Sequence, residues 1–348
     1  MQFIRPALLA TTILTASMTT AFADVRVVTS IKPVHSLVAA VMQGVGTPDL
    51  IVEGAGSPHT YALKPSQAKQ LQEADLVFWM SHDLEAFLEK SIDGIATKAV
   101  SVPLMESHGL MNLGFREGGA FDDHGHDEHD DHDEHDKDDD HDHEKHDDHD
   151  EHEKHDKDDD HDHEKHDDHD EHDHGEVDPH VWLDPENAKA MVHEIEEALA
   201  KADPANAATY ESNAEAVMAK LDSLVAEIDS ELQPVKGRGY IVFHDAYQYF
   251  ENRFGVSAIG SITVSPEVLP GAERISDLQE KVRSLDATCV FSEPQFEPKL
   301  VATVTENTNA RTGVLDPLGA AIDKGPNLYF TLIRNMASSL KNCLLGSG

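Results

Sequence analysis

The chain has 348 residues, with 67 Asp and Glu against 27 Lys and Arg, for a formal net charge of −40. An excess of negative charge on this scale opposes binding to nucleic acid and non-specific adhesion to anionic lipid. The acidity is chiefly local: over 122–174 thirty acidic residues face five lysines, so −25 sits there and −15 in all the rest.

The first residues, MQFIRPALLATTILTASMTTAFA, carry one basic residue, Arg5, then an apolar and small-residue run ending in Ala21-Phe22-Ala23. This is the pattern of a secretory signal peptide over 1–23, cleaved after Ala23. The run is too short and too rich in Ala and Thr for a spanning helix of ~20 apolar residues. The mature chain is therefore expected to be soluble and periplasmic, with a retained N-terminal anchor as the alternative. Setting aside the leader and the acidic stretch leaves about 270 residues, enough for two cores at ~100 to 150 residues each.

From residue 25 the pattern is α/β. Strands are predicted over 25–30, 49–52, 76–80 and 99–102, with helices over 33–42, 66–73 and 84–91 between them. Such alternation implies a mainly parallel sheet covered on both faces, with ligands bound beyond the carboxyl ends of its strands.

The 122–174 stretch breaks the rhythm and contains a duplication, HDKDDDHDHEKHDDHDEH, starting at His135 and again at His155. With no apolar residue to offset the entropy of ordering its backbone, it is expected to be a disordered loop without metal. It holds seventeen histidines: His124, His126, His129, His132, His135, His141, His143, His146, His149, His152, His155, His161, His163, His166, His169, His172 and His174. Many are spaced by one or two residues, which allows neighbours to chelate together. Neutral imidazole binds Zn²⁺ near pH 7 and imidazolium does not. The loop is thus expected to capture or buffer extra zinc, more weakly than a preformed site, near a cleft mouth to which Asp178 and His180 tether it. An inert solvating run is the alternative.

After the loop, DPHVWLDP over 178–185 reads as a compact turn leading into a helix over 186–201. Asp203-Pro204 then reads as the N-cap and first-turn proline of a second helix. This helix carries Tyr210, Val217, Leu221, Leu224, Ile228 and Leu232 on one seam and runs to Pro234. At about thirty residues it would be ~45 Å long, enough to join two lobes as a spine. Strands over 239–243, 258–262, 289–292 and 312–315 and a last helix over 327–340 complete a second α/β run. The fold class is therefore α/β: two (β/α) lobes with mainly parallel sheets joined by one long rigid helix. The lobes are set at 24–185 and 235–348, with 186–234 between them.

Three histidines outside the acidic loop fall beside strands. His59 lies in the loop after 50–52, His180 in the turn before Val181-Trp182, and His244 directly after the strand over 241–243. Asp316 follows another strand end. Three imidazoles and an oxygen suit tetrahedral Zn²⁺, but these four are dispersed; taken alone, each histidine reads more readily as a hydrogen-bonded loop residue and Asp316 as a plain turn residue. His35, His82, His108 and His193 carry no such signal, and His193-Glu194 does not begin HExxH because position 197 is Glu. The only cysteines are Cys289 and Cys343. In an exported chain one disulfide is the economical reading and a pair of buried thiols the alternative.

The segments SPHTYALKPSQ (57–67), DPHVWLDP (178–185), FHDAYQYF (243–250), SEPQF (292–296) and LDPLG (315–319) resemble the metal-binding components of ABC-type zinc importers, the cluster A-I solute-binding proteins. The resemblance covers nearly all of the mature chain. It implies a metal held between two lobes, with His59, His180 and His244 matching the three zinc-ligating histidines. Asp316 matches an aspartate that is a ligand in many members and is replaced by water or a nearby Glu in some. Pro58 stands where some zinc-binding relatives carry Glu, which leaves the fourth ligand open. Cys289 and Cys343 match a pair bridged in close relatives. The partners implied are an inner-membrane ABC permease with its cytoplasmic ATPase, serving a monomeric carrier. Relatives that resemble manganese or iron carriers have Glu where this chain has His244, and a third imidazole shifts the preference toward Zn²⁺. A periplasmic zinc store or adhesin and, more distantly, a zinc hydrolase are the rival classes.

Overall fold

The computed structural model describes residues 25–116, 177–263, 270–284 and 289–346. The predicted leader over 1–23 and the histidine-rich stretch over 122–174 lie outside these residues.

Two four-stranded sheets organise the chain. The first has the order β2-β1-β3-β4, from β1 (Val27–Thr29), β2 (Asp49–Leu50), β3 (Leu76–Trp79) and β4 (Val100–Pro103). The second repeats that topology as β6-β5-β7-β8, from β5 (Tyr240–His244), β6 (Ala258–Thr263), β7 (Cys289–Ser292) and β8 (Arg311–Val314). Every pairing is parallel. Strands β1, β3 and β5 are buried along their whole length, as parallel strands covered on both faces must be.

The helices of the first half are α1 (Lys32–Val41), α2 (Pro65–Glu73), α3 (Ala86–Ile95), α4 (Pro185–Ala202) and α5 (Ala207–Leu232). Those of the second are α6 (Gln248–Phe254), α7 (Ala272–Ser284), α8 (Lys299–Thr305) and α9 (Leu328–Leu345). Helix α5 has 26 residues, ~39 Å at 1.5 Å per residue, and buries Tyr210, Ala214, Val217, Leu221, Leu224, Ile228 and Leu232 at the spacing of a single apolar face.

Its start differs from the sequence expectation. Asp203 is the C-cap of α4, not the N-cap of α5; the N-cap is Asn206. The Asp203 carboxylate accepts hydrogen bonds from Asn206 Nδ2 (2.6 Å) and Tyr210 OH (3.0 Å). It thereby braces the turn between the two helices.

The apolar interior also departs from a core per lobe. One continuous cluster runs from Val27 and Val28 through α1, β3, α4 and α5 to Tyr240, Val242 and α9. A smaller one joins Ile241 and Phe243 to Leu278, Val282, Val301 and Val304 beneath α7 and α8. Alternation along β5 produces the split, because successive side chains of a strand point to opposite faces. The last helix is tied to the second sheet by the Cys289–Cys343 disulfide.

Candidate metal site

Both sheets present their strand ends to one cleft. The chain leaves β2, passes Gly56 and forms a tight 3-10 turn over Pro58–Thr60 that carries His59. Gly56 fits closely there, since a Cβ would stand 3.1 Å from the Tyr61 ring. His180 precedes the 3-10 turn Val181–Leu183, and His244 is the last residue of β5.

Among the described residues, one group of His, Cys, Asp and Glu side chains is arranged to hold a metal ion. It is His59, His180 and His244, whose ligand atoms all lie within 4.8 Å of one another. The ring centroids are 5.4 Å (His59–His180), 5.8 Å (His59–His244) and 5.3 Å (His180–His244) apart. The Nε2 atoms of His180 and His244 are 3.4 Å apart. Two nitrogens each ~2.05 Å from a tetrahedral Zn²⁺ would be separated by ~3.3 Å.

The opposite edge of each of these two rings is fixed by a buried carboxylate. His180 Nδ1 is 2.6 Å from Asp178 Oδ1, and Asp178 is itself held by Gln248 Nε2 at 2.6 Å. His244 Nδ1 is 2.7 Å from Glu293 Oε1. A carboxylate on Nδ1 sets the tautomer: Nδ1–H donates outward and the Nε2 lone pair faces the cleft, where a cation would be bound. Asp178 and Glu293 are 0 % and 3 % exposed, so a divalent cation between these imidazoles would meet two buried negative charges.

Charge and burial act differently on the three rings. Burial, then the neighbouring His180 and His244, push the pKa of His59 down to about 2, so this imidazole is neutral and ligand-competent. Burial also opposes the imidazolium of His244. There the charge and hydrogen bond of Glu293, with Asp245 and Asp178 nearby, outweigh it and hold the pKa above the ordinary value. Trp182 packs on His180 and Phe296 lies edge-on to His244, so aromatic rings flank two of the three imidazoles. Two buried oxygens of the residues lining the cleft, Ser57 Oγ and Gln295 Oε1, have no hydrogen-bond partner.

Asp316 is not in this group. Its Oδ1 accepts from Gln295 Nε2 (3.0 Å) and from the N–H groups of Leu318 (3.1 Å) and Gly319 (2.9 Å), and its Oδ2 from Ala320 N–H (2.6 Å). The remaining described histidines also have separate surroundings. His35 Nε2 is 3.2 Å from Pro48 O, His82 pairs with Glu89, and His193 lies beside Glu196 and Glu197.

The model of the family "Zinc-uptake complex component A, periplasmic" (ZnuA) matches residues 27–343. The chain belongs to the ZnuA family. It is 58 % identical over 318 residues to the high-affinity zinc uptake system protein ZnuA of Brucella abortus (strain 2308), covering 91 % of each chain. A crystal structure of ZnuA superposes with a TM-score of 0.67 at 21 % identity, covering 91 % of this chain and 100 % of that one. The laminin-binding protein Lmb of Streptococcus agalactiae, described as having adhesin and metal-transporting activity, gives 0.67 at 21 % identity over 92 % and 99 %. At these identities the two structures speak for the shared fold. As a ZnuA-family member the chain is a solute-binding transport component and not an enzyme. No helix of its described residues is long and apolar enough to cross a membrane.

Two site residues of this ZnuA-family chain escaped the sequence reading as supports of the ligands. Asp178 carried a local signal, an acid two residues before a histidine. Glu293 carried none, because it meets His244 only through the pairing of β5 with β7.

Proposed function

We propose that this chain captures Zn²⁺ in the periplasm with His59, His180 and His244 and delivers it to an inner-membrane ABC permease driven by a cytoplasmic ATPase. The observation that carries the reading is the convergence of three imidazoles, two of them locked by buried carboxylates with Nε2 turned toward a common point. Nitrogen ligands in this number favour Zn²⁺ over harder cations such as Mn²⁺. The 58 % identity to a protein named for high-affinity zinc uptake supports the same cargo. Residues 1–23 direct export and are then removed, and the histidine-rich stretch over 122–174 serves as an auxiliary zinc buffer.

Calorimetric titration of the mature chain with Zn²⁺ and with Mn²⁺ tests the capture step. One tight zinc site, abolished by His59→Ala or His244→Ala, is the expected result; tighter binding of Mn²⁺ would overturn it. Delivery is tested by growth under zinc chelation after removal of the gene. Unimpaired growth would point instead to a store or adhesin.

A further inference from the structure

Lys32 occupies a place that is unfavourable for a lysine on two counts. It is the first residue of α1, where the helix dipole disfavours a cation, and only 6 % of it is exposed. The compensation comes from the other half of the molecule. Its Nζ donates to the carbonyl oxygens of Gly319 (2.6 Å), Ala320 (3.1 Å) and Ile322 (2.6 Å), using all three ammonium protons.

This carbonyl cage is made by Asp316. The carboxylate gathers the N–H groups of Leu318, Gly319 and Ala320 on one side of the loop, which turns carbonyls to the other. Gly319 completes the turn at φ +72°, and a Cβ there would stand 3.2 Å from both Ile322 and Leu332. Pro317 and Leu318 of the same loop line the cavity around the three histidines. Pro317 O also accepts from Trp182 Nε1 (2.9 Å), and Trp182 packs on His180. The cage and the cavity wall are thus two faces of one short loop.

The geometry points to Lys32 as a positioning residue for the captured ion: from the first sheet's helix it clamps the 316–322 loop of the second half, holding Pro317 and Leu318 as a wall that must move before the ion can leave. Asp316 acts through this clamp, as the builder of the loop and not as a ligand. The inference rests on the zinc-capture reading and specifies how release is restrained.

The test is stopped-flow release of one equivalent of Zn²⁺ from the full mature chain into an excess of a chromogenic chelator, whose absorbance follows the released ion. Lys32→Met, which keeps the stem and removes the donors, is expected to release zinc on the order of tenfold faster or more, with little change in the association rate. Lys32→Arg, whose planar guanidinium cannot place three donors in the same cage, is expected to accelerate release too, and it carries the test should Lys32→Met not fold. Asp316→Asn is expected to accelerate release while leaving the Co²⁺ absorption spectrum of the site unchanged. Combined with Lys32→Met it should add little, since both act on one contact. Folded lysine variants that release zinc at the wild-type rate would overturn the clamp, and an altered Co²⁺ spectrum in Asp316→Asn would make Asp316 a ligand and overturn its role as loop builder. A wild-type chain that takes up no tight zinc in the calorimetric titration would instead overturn the capture reading itself.

Discussion

The Nε2 atoms of His180 and His244 lie 3.4 Å apart although 64 residues separate them in sequence. Each ring is held from behind by its own buried carboxylate, which fixes its orientation. A preorganised pair of this kind spares the bound state the entropy of fixing two side chains.

It follows that the supporting carboxylates matter nearly as much as the ligands. Asp178→Asn and Glu293→Gln are each expected to weaken zinc binding by roughly 10- to 100-fold while leaving the stoichiometry of the tight site at one. Competition titration against a chelator of known affinity reads this out. Wild-type affinity in both variants would show that the rings need no outer support.

Arg116 holds two carboxylates close to the site: it forms a bidentate pair with Asp245, the neighbour of His244, and a 2.7 Å bond from Nη1 to Glu251 Oε2. Asp245 and Glu251 are 8 % and 5 % exposed, so Arg116→Ala leaves two acids buried beside each other. Breaking a fully buried pair costs about 3–5 kcal/mol, and because part of Arg116 reaches solvent the expected loss is about 2–4 kcal/mol. Urea unfolding of the metal-free chain measures it; a loss below 1 kcal/mol would mean that the acids find water or protons instead.

Glu85 introduces a pH dependence away from the metal. Burial raises its pKa to about 7, against the opposing hydrogen bonds that Oε2 accepts from the N–H groups of Met80 (2.9 Å) and Ser81 (3.2 Å). The folded state therefore binds this proton more tightly than the unfolded chain, whose carboxyl has the ordinary value of 4.5. The stabilisation is complete below pH 4.5 and is lost as pH rises through 7. Glu85→Gln removes the ionisation, so the metal-free variant is expected to exceed wild type by up to about 3 kcal/mol at pH 8 and to match it near pH 4.5. His35, with a pKa lowered to about 4 by burial, acts in the opposite sense in both proteins and cancels in the comparison. A difference independent of pH would refute the assignment to Glu85.

Deleting 122–174 separates the two classes of proposed zinc ligand. Total zinc bound at saturation is expected to fall while the tight site keeps its affinity, as read by metal analysis together with calorimetry. Unchanged stoichiometry would leave the seventeen histidines of that stretch as a solvating run.

Local information determined a good deal of this protein. All eight strands were legible because runs such as Leu76–Trp79 and Tyr240–His244 are apolar, short and bounded by turn residues. The seam of α5 was equally plain, since 3- and 4-residue spacing is a property of the helix itself. Its first residue was misjudged because Asp203-Pro204 satisfies the cap rule on its own, and only the contacts of Asp203 with Asn206 and Tyr210 show that it closes the preceding turn. The three histidines stood out through their motifs, but no spacing could bring them to one point. That was decided by the two sheets, which deliver residues 59, 180 and 244 to one cleft. Tertiary structure also supplied the surroundings of Asp316: a carboxylate at a strand end gives no sign along the chain of the backbone N–H groups of Leu318, Gly319 and Ala320 that it gathers. Lys32 lies just ahead of the helix expected over 33–42, and nothing along the chain marks it; the fold sets it among carbonyls 287 to 290 residues away. Periodicity and capping are local interactions and can be read along a chain, whereas charge burial and ligand convergence depend on which distant segments the core brings together.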